Sequence, residues 1–161
     1  MPAWTDLDRW HALCTGKACP ICARGEPFDV IATLSASWLT MPERAPARGY
    51  VCVVSRTHAV ELQDLPESAA SEFMRDLRVV SKALTKATGS VKLNCEIHGN
   101  TLPHLHAHFY PRYAGDHFGD GPITPRAVTW PVYGDGEFTR IRDAVLEAWG
   151  GSMPGTALPD K

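Results

Sequence analysis

Residues 104 to 109 read His-Leu-His-Ala-His-Phe. In a strand, alternation puts His104, His106 and His108 on one face and Leu105, Ala107 and Phe109 on the other. At a rise of ~3.3 Å per residue, neighbours in that row stand ~7 Å apart at the backbone. Protonated imidazoles so close repel one another, and a strand has no structural need of three, so the row reads as functional. Two chemistries fit it. A neutral imidazole whose far nitrogen donates to a fixed acceptor can attack phosphorus near neutral pH, while its neighbours donate to anionic oxygens or to the leaving group. Alternatively, two histidines at i and i+2 with a third ligand can hold a catalytic zinc with a position open to water, although no Asp or Glu lies within the segment to complete a usual hydrolytic site.

A second pattern is Cys19-Pro-Ile-Cys22. Redox and metal sites share the C-x-x-C spacing, and a closed zinc site needs two further ligands. Other polar residues carry two readings each. His98 either reaches a phosphate from the turn at Gly99 or is exposed, and Arg56 and Arg112 either steer phosphate or are solvated. His11 and His117 read as surface residues, Cys14, Cys52 and Cys95 as packing or exposed thiols, and Trp130 and Trp149 as core or interface anchors.

These residues need a scaffold, and the patterning supplies one. Trp4 to Leu13 suits a short amphipathic helix with Trp4, Leu7, Trp10 and Leu13 on one side. Phe28 to Leu34 and Ala36 to Met41 read as strands, Pro42 to Gly49 as a loop, and Tyr50 to Val54 as a strand buried on both faces. Ala69, Phe73, Leu77, Val80, Leu84 and Ala87 recur at helical spacing, which predicts a long helix from about Pro66 to Thr88. Asp64 and Glu67 would cap its start, with Pro66 in the first turn and Gly89 at its end. Val91 to Ile97 alternates as a strand, with Lys92, Asn94 and Glu96 on one face, and Gly99-Asn100 is a turn. Thr101 to Tyr110 carries the histidines as the next strand. An irregular segment to about Gly136, a last helix over Glu137 to Trp149 and a mobile polar tail over 150–161 complete the reading. The fold class is therefore α+β: an antiparallel sheet of about five strands, one long helix across it and a C-terminal helix.

Composition narrows the function further. The chain has 161 residues, a length expected for one domain over 1–161, with 44% hydrophobic and 21% charged residues. A net charge of −2 argues against nucleic-acid binding by bulk charge. No apolar run approaches the ~20 residues that span a bilayer, and Asp6, Asp8 and Arg9 stand where a signal peptide would be apolar, so no membrane association and a cytoplasmic location are expected. Five cysteines, with only Cys19 and Cys22 closely spaced, suit a reducing compartment.

His104-Leu-His106-Ala-His108-Phe-Tyr110 resembles the His-φ-His-φ-His-φ-φ motif of the histidine-triad (HIT) family of nucleotide hydrolases and transferases, φ being hydrophobic. The resemblance extends over about 19–115. It includes Cys19 and Cys22, Tyr50-Val-Cys-Val-Val-Ser-Arg-Thr-His58, Leu62 to Leu65 ahead of the long helix, Asn94, Gly99-Asn100-Thr101 and Pro111-Arg112-Tyr113. It implies a HIT-like fold, a homodimer whose sheets join, and a nucleotide as the small-molecule partner. The implied activity is hydrolysis or transfer at a phosphoramidate, an adenylylated small molecule or a dinucleoside polyphosphate, through a nucleotidyl-histidine.

By the same resemblance His106 is the nucleophile, His108 contacts phosphate oxygens and the leaving group, and the backbone carbonyl of His104 orients His106. Asn94, Asn100 and Thr101 match positions that hydrogen-bond phosphate and leaving group. The zinc-containing bacterial branch implies a structural zinc on Cys19, Cys22, His58 and His104. Three positions depart from the family pattern: Asn100 stands where Gln is commonest, Tyr50 replaces a frequent His after Gly49, and Pro42 stands where an acidic residue typically binds the ribose hydroxyls. A metallohydrolase with zinc on the histidine row, and a nucleotide-binding module without turnover, are the rival readings.

Overall fold

The computed structural model describes residues 3–116, 118–121, 123–124 and 132–150. His117, Trp130 and residues 151–161 of the tail lie outside the described residues. A 3-10 turn at Ala3–Thr5 leads into α1 (Leu7–Cys14) and α2 (Pro20–Arg24), followed by β1 (Val30–Thr33), β2 (Ser37–Thr40) and β3 (Val51–Ser55). Then come α3 (Glu67–Thr88), β4 (Lys92–Ile97), β5 (His106–Arg112) and α4 (Glu137–Trp149). The five strands form one antiparallel sheet in the order β1-β2-β3-β5-β4.

The two faces of this sheet have different uses. Val51, Val53, Ala107 and Phe109 point to the side on which α3 presents Phe73, Leu77, Val80 and Leu84, and α4 adds Ile141, Val145 and Leu146. Burying each large apolar side chain there contributes ~1.5–3 kcal/mol, which is why the helical stripe seen in the sequence sets the position of α3. Truncating the fully buried Phe73 to alanine would cost ~3–5 kcal/mol through the cavity left behind. On the opposite face, Cys52 stands beside His108 and Val54 beside His106, while Glu96 pairs with His108 and Asn94 with Tyr110. Here a smaller cluster of Ala45, Ala47, Tyr50, Cys52, Val54 and Tyr110 covers part of the sheet.

Several boundaries differ from the sequence reading for identifiable reasons. Asp64 does not cap α3: its carboxylate accepts from the backbone N–H of Glu61 in a capping box on the 3-10 turn Leu62–Asp64, and Pro66, with no side-chain acceptor, is the N-cap of α3. Gly89 ends α3 as expected, at φ 62°. In α1 only Leu13 is buried, while Trp4 and Leu7 are exposed and Trp4 meets Trp10 edge-on, so its apolar side is not a core face. β5 begins at His106 rather than Thr101 and continues through Pro111 to Arg112. Asp76, on the buried side of α3, accepts from the Ala36 N–H at 2.9 Å and the Ser37 hydroxyl at 2.7 Å, fastening the helix to the β1–β2 turn.

Candidate functional site

The late start of β5 divides the histidine row. His106 and His108 alternate with the buried Ala107 and Phe109 and line a cleft of about 570 Å³, together with Ile21, Cys52, Val54 and the turn His98 to Leu102. His104 precedes the strand, is buried, and turns toward the cysteines instead. The expectation of three imidazoles side by side on one strand face is corrected to two in the cleft and one beneath it. The cause is local: the Leu105 N–H donates to the Ala59 carbonyl, while the Ser55 carbonyl of β3, which would continue the ladder, accepts from His104 Nε2.

The three rings are nevertheless linked. His106 Nδ1 donates to the His104 carbonyl at 2.6 Å, which leaves Nε2 with the free lone pair and fixes the ring about its Cα–Cβ bond. Burial lowers the proton affinity of His106, against the pull of that carbonyl, so the ring is held in the neutral form a nucleophile requires. His108 Nδ1 lies 2.7 Å from the Tyr50 hydroxyl. With Tyr50 O–H as donor, His108 carries its proton on Nε2 and offers an N–H to the cleft. Burial, then the nearby His106 and His98, push His108 down to about 4. Burial also drives the Tyr50 phenol far above its ordinary value, so it stays protonated and able to donate.

Tyr50 is placed by its neighbour. Gly49 has φ 75°, and a Cβ there would fall 2.8 Å from Thr88 Cγ2, so a residue without a side chain is needed to bring Tyr50 over β5. Its ring packs on Tyr110 at 5.1 Å between centroids.

Beside this cleft Cys19, Cys22, His58 and His104 bring one donor atom each to within 4.8 Å of one another, forming a group able to hold a metal ion. Cys19 is the N-cap of the short α2 and Cys22 lies within it, so one helical turn sets both sulfurs on the same side. Cys19 Sγ is 3.4 Å and Cys22 Sγ 3.8 Å from His104 Nδ1; Cys22 Sγ is 3.3 Å and His104 Nδ1 3.2 Å from His58 Nδ1. Zinc bonds of ~2.3 Å to sulfur and ~2.0–2.1 Å to nitrogen put tetrahedral ligands ~3.3–3.8 Å apart, and these separations fit. Each imidazole also gives its other nitrogen to a backbone carbonyl, His104 Nε2 to Ser55 at 2.8 Å and His58 Nε2 to Cys14 at 2.9 Å, so both lone pairs at Nδ1 point to the common centre. Burial and the adjacent Cys19 sulfur push the Cys22 thiol up to about 11. A divalent cation is the partner that would let both sulfurs ionise.

The remaining sequence candidates separate. Asn100 and Thr101 line the cleft with His106 and His108. Asn94 is on the same sheet face but lines a neighbouring cleft with Lys92, Arg112 and Asp116. Arg112 is not solvated: it is buried, paired in two-pronged fashion with Asp116 and bonded to the carbonyls of Gly119 and Gly121. Arg56 is exposed and reaches the Ser35 carbonyl. Cys52 is buried and lines the cleft, Cys95 is exposed, and Trp149 packs on the core. His98 is in the cleft, its Nε2 3.0 Å from Glu96 Oε2. Tyr50 and Glu96 were not singled out as contacts of the site by the sequence, since only strand register reveals that they meet histidines; the period-two phase of Glu96 with Asn94 was the available signal for the second.

Comparison with known proteins agrees with this arrangement. The HIT domain family model matches residues 26–115. A histidine triad protein from Bradyrhizobium japonicum superposes with a TM-score of 0.65 at 30% identity, over 74% of this chain and 88% of that one. A HIT protein from Sinorhizobium meliloti gives 0.64 at 23% identity, over 74% and 90%. A Zn-bound histidine triad family protein from Mycobacterium smegmatis gives 0.61 at 20% identity, over 81% and 95%. No curated protein sequence matches the chain significantly.

Proposed function

The chain belongs to the HIT family, and from that premise we propose that it hydrolyses or transfers the nucleotidyl group of phosphoramidates or phosphoanhydrides through a covalent intermediate on His106. The observation that carries this reading is the 2.6 Å hydrogen bond from His106 Nδ1 to the His104 carbonyl, which commits the other nitrogen to nucleophilic use. In the first step His106 Nε2 bonds to the α-phosphorus and the leaving group departs. In the second, water attacks phosphorus and the P–N bond breaks. His108 Nε2–H donates to phosphate oxygens or to the leaving group, and Asn100 and Thr101 supply further donors from the turn, so charge developing on the phosphoryl oxygens meets preorganised dipoles. Asn94 acts from the adjoining end of the same face, toward the substrate's distal part.

Cys19, Cys22, His58 and His104 hold a structural zinc in this reading, supported by their donor spacing and by the two carbonyls that orient the imidazoles. Bound there, zinc would tie the N-terminal segment to the residue whose carbonyl aims His106. Only His104 of the histidine row belongs to that donor set, which favours covalent catalysis over a zinc-bound water on the row. The chain acts as one domain, as a homodimer joined through the edge strand β4, which is preceded by the exposed Val91 and ends on the exposed Ile97. Among the described residues no helix is long and apolar enough to cross a membrane, and a cytoplasmic location suits the reduced cysteines.

A screen of adenosine and guanosine phosphoramidates, adenylylated amino acids and dinucleoside polyphosphates tests the activity. Turnover by the wild type that falls by several orders of magnitude in His106→Asn, with nucleotide binding retained, is the expected result. Near-normal turnover in that variant would remove His106 from the mechanism, and binding without turnover of any substrate would make the chain a nucleotide-binding module.

A further inference from the structure

The cleft contains a third histidine, His98, with its own carboxylate. His98 leaves β4 at the turn where Gly99 takes φ 82°, a conformation that folds the chain back over the sheet end. Its Nε2 lies 3.0 Å from Glu96 Oε2, its ring centroid is 5.6 Å from that of His108, and it lines the same cleft as His106. Glu96 in turn is held opposite His108 by the β4–β5 register. The groups facing His98 are thus Glu96, His108 and, across the cleft, His106.

We propose that Glu96 and His98 form a proton-transfer dyad that serves the leaving group, and that the chain is thereby adapted to nucleotide derivatives with a basic leaving group, above all amines. The inference rests on the covalent mechanism proposed above and extends it. Glu96 accepts from His98 Nε2–H and sets the ring, leaving Nδ1 to exchange protons with a ligand. In the first step the bond from His106 Nε2 to phosphorus forms, the bond from phosphorus to the leaving nitrogen breaks with its electron pair on nitrogen, and the proton on His98 Nδ1 moves to that nitrogen. In the second step water oxygen bonds to phosphorus, the bond to His106 breaks, and a water proton passes to His98 Nδ1. One water is consumed, one amine and one nucleotide are released, and His98 returns to its starting state.

His108 does not supply that proton in this scheme. Burial keeps it neutral around pH 7, and the Tyr50 hydroxyl occupies its Nδ1, so it offers a hydrogen bond but no proton beyond the one it must retain. Half exposed at the mouth of the cleft, His98 can exchange with water between turnovers. A purely structural role for the Glu96–His98 contact would secure the turn without distinguishing one substrate from another.

The test compares two leaving groups on one nucleotide, an alkylamine phosphoramidate of adenosine and the corresponding p-nitrophenyl ester, which departs without protonation. General acid catalysis is worth ~10²–10⁴-fold, so His98→Gln should lower the single-turnover rate of amine release by at least ~100-fold while changing the burst of nitrophenolate, which reports the first step alone, by less than about fivefold. Glu96→Gln should show the same selectivity with a smaller loss. Equal losses on both substrates, or no loss on the amine, would overturn the dyad while leaving the covalent mechanism standing. Absence of a nucleotidyl adduct on the wild type with the nitrophenyl ester would instead overturn the covalent mechanism, and the dyad with it.

Discussion

Removing one oxygen, in Tyr50→Phe, isolates the orientation of His108. The phenylalanine ring keeps the packing on Tyr110, so the change is confined to the hydroxyl that lies 2.7 Å from His108 Nδ1. Losing the donor to a largely buried acceptor costs ~1–3 kcal/mol, because Nδ1 is left without a partner in a site with little water to replace it. The burden falls on stability and on catalysis in different ways. Stability should drop by that amount in denaturant titrations with unchanged m value. Freed from the phenol, His108 exchanges its proton between the two ring nitrogens, and the Nε2–H aimed at the cleft is present for only part of the time. Loss of that one positioned donor should lower kcat by ~10–100-fold, the equivalent of ~1.4–2.8 kcal/mol, with KM changed little. Nitrogen-15 shifts of His108 report the tautomer directly: Nδ1 unprotonated in the wild type, intermediate in the variant. A Tyr50→Phe protein with wild-type kcat and unaltered His108 shifts would refute the tautomer argument.

Three further outcomes follow from the same geometry. Metal analysis of protein purified without chelator should find about one zinc per chain, and Cys19→Ser with Cys22→Ser should release it and lower Tm; absence of metal in fully reduced protein, with unchanged melting in the double variant, would contradict the assignment. Because His108 is pushed down to about 4 from an unfolded value near 6.5, the unfolded chain binds more protons between those values; its contribution to stability is complete above pH 6.5 and falls by up to about 3 kcal/mol as the pH drops toward 4, and His108→Asn should flatten the stability profile of the wild type in that window rather than leave it unchanged. Pro42 sits half-buried in the loop after β2 and offers neither a carboxylate nor an N–H, so matched adenosine and 2′-deoxyadenosine phosphoramidates should differ in kcat/KM by less than about tenfold; a preference of about a hundredfold for ribose would mean that another residue makes the contact.

Sequence patterning carried far where one interaction dominated locally. The helical stripe from Phe73 to Leu84 could be satisfied only by a buried face, and the apolar run Val51 to Val54 only by a central strand, so α3 and β3 stand where periodicity put them. Periodicity failed where tertiary bonds overrode it. His104 continues the alternation of the strand in sequence, yet the pull of Ser55, His58 and the cysteines removes it from the ladder. Arg112 is drawn inward by Asp116, four residues on, a pairing that spacing alone does not distinguish from a solvated charge. The C-x-x-C spacing marks Cys19 and Cys22 as candidate ligands, but joining them to His58 and His104 took the family resemblance, since 85 residues separate Cys19 from His104. Tyr50, just ahead of β3, and Glu96, in β4, stand beside His108 from two separate segments, and such contacts depend on register, which nothing in a single strand encodes.

The central claim is that His106 carries the nucleotidyl group. Wild-type protein should be mixed with an adenosine phosphoramidate labelled at the α-phosphate, quenched under alkaline denaturing conditions that spare a phosphorus–nitrogen bond, and digested for peptide mass spectrometry. One labelled site is expected, on His106, formed within a turnover and absent from His106→Asn. Steady turnover with no label on any histidine, or label on His104 or His108 in its place, would contradict it.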